Sequence, residues 1–419
     1  MRQKSSQYAL PARPSPSSFS VLLAALPLIT GCGEQATPGT EPSAGSAGQA
    51  SSPTAGAGGS TVSGTGGSDS SAGGTGNVAG ATNLGGSSSG GSSGGSGAGG
   101  SAGGGNQGGA GPMNKVFSEC RFHFGTIDSV AKQTPALIPE LDFFTPGWMG
   151  LSDTFDQAYV CEEGNEGGVL SKQVPVIVAY VSAFYVKRHH GELCDCNVNE
   201  CGDTDGKPND LCHFGAQYIK QDLAKIIEVY ESYARGYAQC YGTTRPIVFE
   251  MEPDWYQYTG STQGSPMTKQ ESASIIGQYV DAIRKHLPNA HFSIDISPWV
   301  DDNGGTNGQN WYSHFDLSKF TFANTSGGST LAASAKIRNE NQMTWAGVSQ
   351  VTGKGVLADT GYGANGVSAG HDPHWDDANN VNQRIADGVL SISQYNPNPD
   401  WVDKIKSMRG QLAKPKFCP

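Results

Sequence analysis

The chain has 419 residues, with 27 Lys and Arg set against 38 Asp and Glu for a formal net charge of -11. That balance, with no Lys/Arg cluster beyond the leader, excludes an extended phosphate-binding face and so argues against a nucleic-acid partner. Residues 36–112 are almost entirely Gly, Ser, Ala and Thr, and with so little to bury they are predicted to be a flexible linker, leaving 113–419 to fold as one large domain.

In chain order, Arg2, Lys4 and Arg13 precede an apolar stretch over 19–29, too short and wrongly flanked for a transmembrane helix and of the kind that directs export. The stretch ends in Leu28-Ile-Thr-Gly-Cys32, which resembles the lipobox of bacterial lipoproteins. The resemblance implies a signal peptide over 1–31, an acyl anchor on Cys32 and a membrane as partner. Residues 32–112 would then be a tether, with a root-mean-square reach of roughly 50 Å for a Gly/Ser-rich coil of this length. Gly33 after Cys32 favours the outer membrane and cell surface.

Setting Cys32 aside, Cys120, Cys161, Cys194, Cys196, Cys201, Cys212, Cys240 and Cys418 remain, an even set that reads as disulfides in an exported domain. Cys120 and Cys418 could staple the domain's ends. Zinc is the minor alternative for the cluster 194–212, which lacks a paired C-x2-C knuckle. Within the cluster, Asp203-Thr-Asp205-Gly206-Lys-Pro-Asn209-Asp210 resembles half of a calcium loop, with Asp203, Asp205 and Asp210 as ligands. No Glu stands at the twelfth place, so a disulfide-tied turn is the preferred reading. No other cofactor is expected.

Strand-like runs recur at 121–127, 141–144, 174–182, 246–251, 291–296, 320–323, 355–358 and 388–393. Helical spacing lies between several of them. Ile219, Leu223, Ile226, Ile227, Tyr230 and Tyr233 recur at three and four, predicting one helix over 214–241. A second is predicted over 268–286, with Thr268 and Glu271 as a capping box and Pro288 as a stop. Alternating strands and helices predict an α/β fold with a parallel sheet, and eight such strands a (β/α)8 TIM-like barrel, regular or distorted, with disulfide-stapled loops.

The fourth strand runs into Glu250, Glu252 and Asp254, alternate positions that would share one face until Pro253 ends the regular pairing. Acids so close raise one another's proton affinity, as acid/base chemistry on a glycosidic bond requires. Other strand ends offer Asp295 and Trp299, Asn324, Asp359 and Tyr362, Tyr180, and Gln394. Trp255, Tyr256, Tyr258, Trp299 and Tyr362 are flat surfaces suited to sugar rings. Acids, amides and aromatics at these ends fit carbohydrate better than phosphate.

Met251-Glu252-Pro253 resembles the Asn-Glu-Pro turn of the clan of (β/α)8 retaining glycoside hydrolases. That resemblance implies Glu252 as proton donor and Asp359 as nucleophile. Val248-Phe-Glu-Met-Glu-Pro-Asp254 is also similar to the Ile-Glu-Pro-Asp strand end of the inverting cellobiohydrolase and endoglucanase family, which places Asp295 in the second role instead. The expected protein is an exported glycoside hydrolase acting on a neutral, β-linked polysaccharide or its oligomers. Glu250 is expected to hold the Glu252 carboxyl up by like-charge proximity, with Asp254, Asn324, Tyr180 and Gln394 touching substrate. The alternative is a non-catalytic carbohydrate-binding protein at the cell surface on the same scaffold.

Overall fold

The strand-forming runs become eight parallel strands: β1 (His123–Ile127), β2 (Phe143–Thr145), β3 (Val174–Ala179), β4 (Ile247–Met251), β5 (Ala290–Ile296), β6 (Phe322–Thr325), β7 (Gly355–Asp359) and β8 (Val389–Ser393). Each pairs with the next, and β8 pairs back onto β1, closing a barrel in this computed structural model. The structure describes residues 116–156, 161, 164, 167–191, 193–196, 201–260, 264–298, 300, 308–325, 330–338, 343–361 and 370–417. The signal segment, Cys32, the linker, Trp299, Tyr362 and Cys418 lie outside them.

Alternation along the strands decides what faces inward. Phe143, Val176, Val248, Phe322, Leu357 and Leu390 fill the interior, while Phe124, Ile177, Phe249 and Ile294 face the helical layer outside. Val116 and Phe117, which precede β1, join the interior cluster, and Phe117 stacks on His123 with ring centroids 4.0 Å apart. They close the end from which the strands start.

The second and sixth strands are the shortest of the eight. β2 has only three residues, and β6 begins at Phe322 because 317–319 form a 3-10 turn whose preceding Asp316 accepts from the Ser318 amide. The expected helix over 214–241 is two helices, α3 (Leu211–Gln221) and α4 (Leu223–Tyr241). The break is Asp222, whose carboxylate meets His190 Nε2 at 2.5 Å. The second expected helix, α6 (Lys269–Arg284), has the Thr268/Glu271 capping box. Helices α2 (Val181–His189) and α5 (Trp255–Thr259) follow β3 and β4 directly.

Among the described residues the disulfides Cys161–Cys240, Cys194–Cys201 and Cys196–Cys212 bind the loops, so the cysteines of the 194–212 cluster are spent on one another rather than on zinc. The acids beside them do separate work. Asp203 pairs with Pro208 in a short hairpin whose turn holds Asp205 and Gly206 at φ 56° and 76°, and Asp210 caps α3 by accepting from the His213 amide. Among the described residues no group of three or more His, Cys, Asp or Glu is arranged to hold a metal ion.

Interior packing leaves no room at Gly125, where an added Cβ would lie 2.1 Å from the Phe143 ring. Gly125→Ala is therefore expected to cost about 1–3 kcal/mol, read from the denaturant midpoint. A loss under about 0.5 kcal/mol would show that the ring swings aside freely.

Candidate active site

The open end of the barrel is acidic. Glu250 follows Val248 by two residues on β4, Asp359 follows Leu357 on β7, and Asn324 follows Phe322 on β6, so each inherits the inward direction of an interior residue. Asp295 pairs in register with Asn324, whose amide nitrogen donates to its Oδ1 at 3.4 Å, and Ser293 Oγ donates to Asn324 Oδ1. The structure thus brings Glu250, Asp295, Asn324 and Asp359 to one end of the lumen. All are nearly buried, with Glu250 keeping 7% exposure, Asp295 5% and Asp359 4%.

Burial without solvation disfavours a carboxylate. Burial first, and then the negative charge of Asp359, pushes the Glu250 carboxyl up to about 8. Asp359 is pushed up to about 7 by burial, although the Gly361 amide, donating to Oδ1 at 2.6 Å, and the charge of Arg338 favour its ionised form, while Asp254 opposes it. The like-charge neighbour of Glu250 is Asp359, not Glu252 as the strand pattern suggested.

Glu252 lies elsewhere because β4 ends at Met251 and the backbone turns left-handed, with φ 44° at Glu252 and 65° at Asp254. The three acids therefore do not share a face. Fully buried, the Glu252 carboxylate accepts from the Ser182 amide at 2.8 Å, from the Tyr258 hydroxyl at 2.8 Å and from the Tyr230 hydroxyl. Burial raises its proton affinity and these three donors oppose the rise. Asp254 is half-buried and accepts from Gln257 Nε2 at 2.9 Å.

The expected sugar-binding residues divide. Trp255 is buried edge-on against Tyr258 and Tyr279, and Gln394 is buried between the Asp376 carboxylate and the Asp372 amide, so both serve packing. Tyr180 is buried under Trp148 and Phe184. Of the three aromatics after β4, Tyr258 is buried with Trp255 while Tyr256 stays partly open and meets Trp311 at 5.1 Å; sequence reasoning missed the partly open Trp148, on a short strand (Trp148–Met149) paired to the end of β3. Tyr256 and Trp311 line a small pocket with Asp295. The helical period held the signal for Tyr256, since 255 and 258 share the buried face of α5 and 256 does not. The histidines near the strand ends are dispersed, His189 to Asp153, His190 to Asp222 and His374 to Asp372.

No protein-family model matches the chain, and no curated protein does. Solved structures similar to it include a beta-1,4-D-mannanase from Cryptopygus antarcticus, at 10% identity and TM-score 0.40, over 71% of this chain and 93% of that one. A glycoside hydrolase family 5 enzyme from Prevotella bryantii, in complex with a xyloglucan tetradecasaccharide, is similar at 9% identity and TM-score 0.40, over 72% and 98%. The Old Yellow Enzyme from Pichia is similar at 11% identity and TM-score 0.39, over 71% and 82%. Likeness at this level extends to barrels of unrelated chemistry, which leaves function to be argued from the side chains.

The burial of Glu250 makes a checkable statement about stability. Its folded value of about 8 lies above the ordinary 4.5, so its contribution is complete below about pH 4.5 and is lost as pH rises through about 8. Asp359 acts in the same direction through about 7. Unfolding midpoints are expected to fall between about pH 5 and pH 9, and to fall less steeply in Glu250→Gln. Equal slopes in the two proteins would show that Glu250 is not held protonated.

Proposed function

We propose that the protein is a glycoside hydrolase in which Glu250 protonates the leaving oxygen and Asp359 attacks the anomeric carbon or activates water. The observation that carries the reading is the pair of nearly buried carboxyl groups at the ends of β4 and β7, turned into the open end of one barrel and coupled by charge. A general acid must hold its proton at the working pH and its partner must have lost one; with values of about 8 and about 7, Glu250 and Asp359 are ordered that way. In the forward step the Glu250 proton passes to the glycosidic oxygen as the C–O bond breaks. The Asp359 carboxylate supplies the electron pair for the new bond at carbon, directly or by taking a proton from water. Asp295, beside Asn324, is the remaining acid able to take the second role. Tyr256 and Trp148 offer aromatic surface where Trp255 does not.

The substrate class follows from the same acids. A mouth lined by carboxyl groups favours a neutral polysaccharide over a uronate-rich one. The resemblance of Leu28-Ile-Thr-Gly-Cys32 to a lipobox, with the linker behind it, supports an exported, lipid-anchored protein at the cell surface. Cys32→Ala is expected to move it from the membrane fraction to the soluble one; unchanged membrane retention would remove the anchor.

The decisive assay is reducing-end release by the full chain on a panel of neutral polysaccharides. Release is expected to peak between about pH 7 and 8, falling on the acid side as Asp359 gains a proton and on the alkaline side as Glu250 loses one. Glu250→Gln is expected to lower kcat by about a hundredfold or more. Retention on a polymer without release, by a folded protein, would make the acids part of a binding module instead.

A further inference from the structure

The residue that the Glu-Pro turn singles out has a role the reaction does not account for. Helix α2 has no side-chain cap of its own: Tyr180 at its N-cap makes no capping hydrogen bond, and the Ser182 amide in its first turn donates instead to Glu252, seventy residues away. A carboxylate there serves both the orphan amide and the positive end of the helix. The same carboxylate takes hydroxyl hydrogen bonds from Tyr230 on α4 and Tyr258 on α5. Tyr230 stacks on Tyr279 of α6 at 4.4 Å, and the Tyr279 hydroxyl accepts from Ser182 Oγ at 3.0 Å. Backbone bonds complete the joint, with the Glu252 amide donating to Ala179 at the end of β3 at 2.7 Å and its carbonyl accepting from the Trp255 amide at 3.0 Å. Three helices thus meet one side chain, and α6 joins them through Tyr230 and Ser182.

The joint sits between two acids of the mouth. Glu250 lies two residues before Glu252 and Asp254 two residues after, and both 252 and 254 hold left-handed backbone that non-glycine residues adopt only when their surroundings over-determine it. We infer that Glu252 is a positioning residue, which fixes the left-handed turn after β4 and with it the placement of Glu250 and Asp254 relative to Asp359. The inference rests on the glycosidase reading for its kinetic consequence, and on the structure alone for its effect on the acids. The groups that face those acids are Asp359 and Ser393 across β7 and β8, Asp295 and Asn324 on β5 and β6, Arg338 before α8 (Trp345–Thr352), and Tyr395 after β8. None of them is changed by a substitution at 252.

The test compares Glu252→Gln, Tyr230→Phe and Tyr258→Phe with the parent full chain. On whichever polysaccharide of the panel the parent hydrolyses, Glu252→Gln is expected to lower kcat about 10- to 100-fold with KM nearly unchanged, the cost of an acid displaced by an ångström or less. Both pH limbs should persist but move toward ordinary carboxyl values as the mouth loosens. The tyrosine variants should shift the same way by less, and they carry the test should Glu252→Gln not fold. Parent-like kcat and limbs in all folded variants would make the joint merely structural. A folded Glu252→Gln protein whose residual rate has no alkaline limb would make Glu252 itself the acid. If the parent releases nothing from any polymer, the glycosidase reading fails alone, and the alkaline loss of folding stability decides. A midpoint moved to lower pH in the variants supports positioning, and one unmoved overturns it.

Discussion

Side chains on a strand alternate, and the rule holds on β4 only as far as Met251. Val248 and Glu250 obey it and enter the lumen; Ile247, Phe249 and Met251 obey it and face the helices. At Glu252 the left-handed backbone turns the chain out of register, and what would be a second inward acid becomes the anchor of the surrounding helical layer. Much of the site depends on that one departure. Had the strand continued, three carboxyl groups would crowd the mouth from β4 alone, and α2 would lack a partner for its first-turn amide.

The two ends of the barrel treat acids in opposite ways. At the closed end Asp142, just before β2, is ringed by cations: Arg121 Nη2 approaches Oδ1 at 2.8 Å and Arg409 Nη2 approaches Oδ2 at 3.1 Å. Burial works against its charge, yet His123, Arg409 and the Phe124 amide hold the carboxyl well below the ordinary range. At the open end burial wins, and Glu250 and Asp359 sit well above it. An ion pair fixed by arginines adds rigidity, whereas a carboxyl left short of cations keeps a proton it can lend. This polarity, an ion-paired acid below and protonated acids above, is the feature that the proposed function draws on.

The barrel was legible in the sequence because parallel strands buried on both faces write themselves as apolar runs, and helices as periodic ones. The shortfalls have local causes. A three-residue β2 is too short to carry a pattern, and the helix over 214–241 was split by Asp222, whose inward histidine partner lies far away in sequence. In the site, β4, β5, β6 and β7 were read with their acids and amide, because alternation carries that information. The fate of Glu252 was not legible, since its partners Ser182, Tyr230 and Tyr258 come from three helices and nothing in the local sequence announces a positive φ at a glutamate. Trp255 misled for a related reason: an aromatic after a strand end looks like a platform until the helix that follows assigns it a face.

The plug formed by Val116 and Phe117 has a consequence for how the barrel is presented. Those residues sit among Phe143, Phe322 and Leu390 at the starts of the strands, so the chain joins the barrel through its floor, at the end remote from the acids. A load carried through residue 116 falls first on this floor, with its stacked Phe117 and His123, and reaches Glu250 and Asp359 at the rim only through the length of the strands.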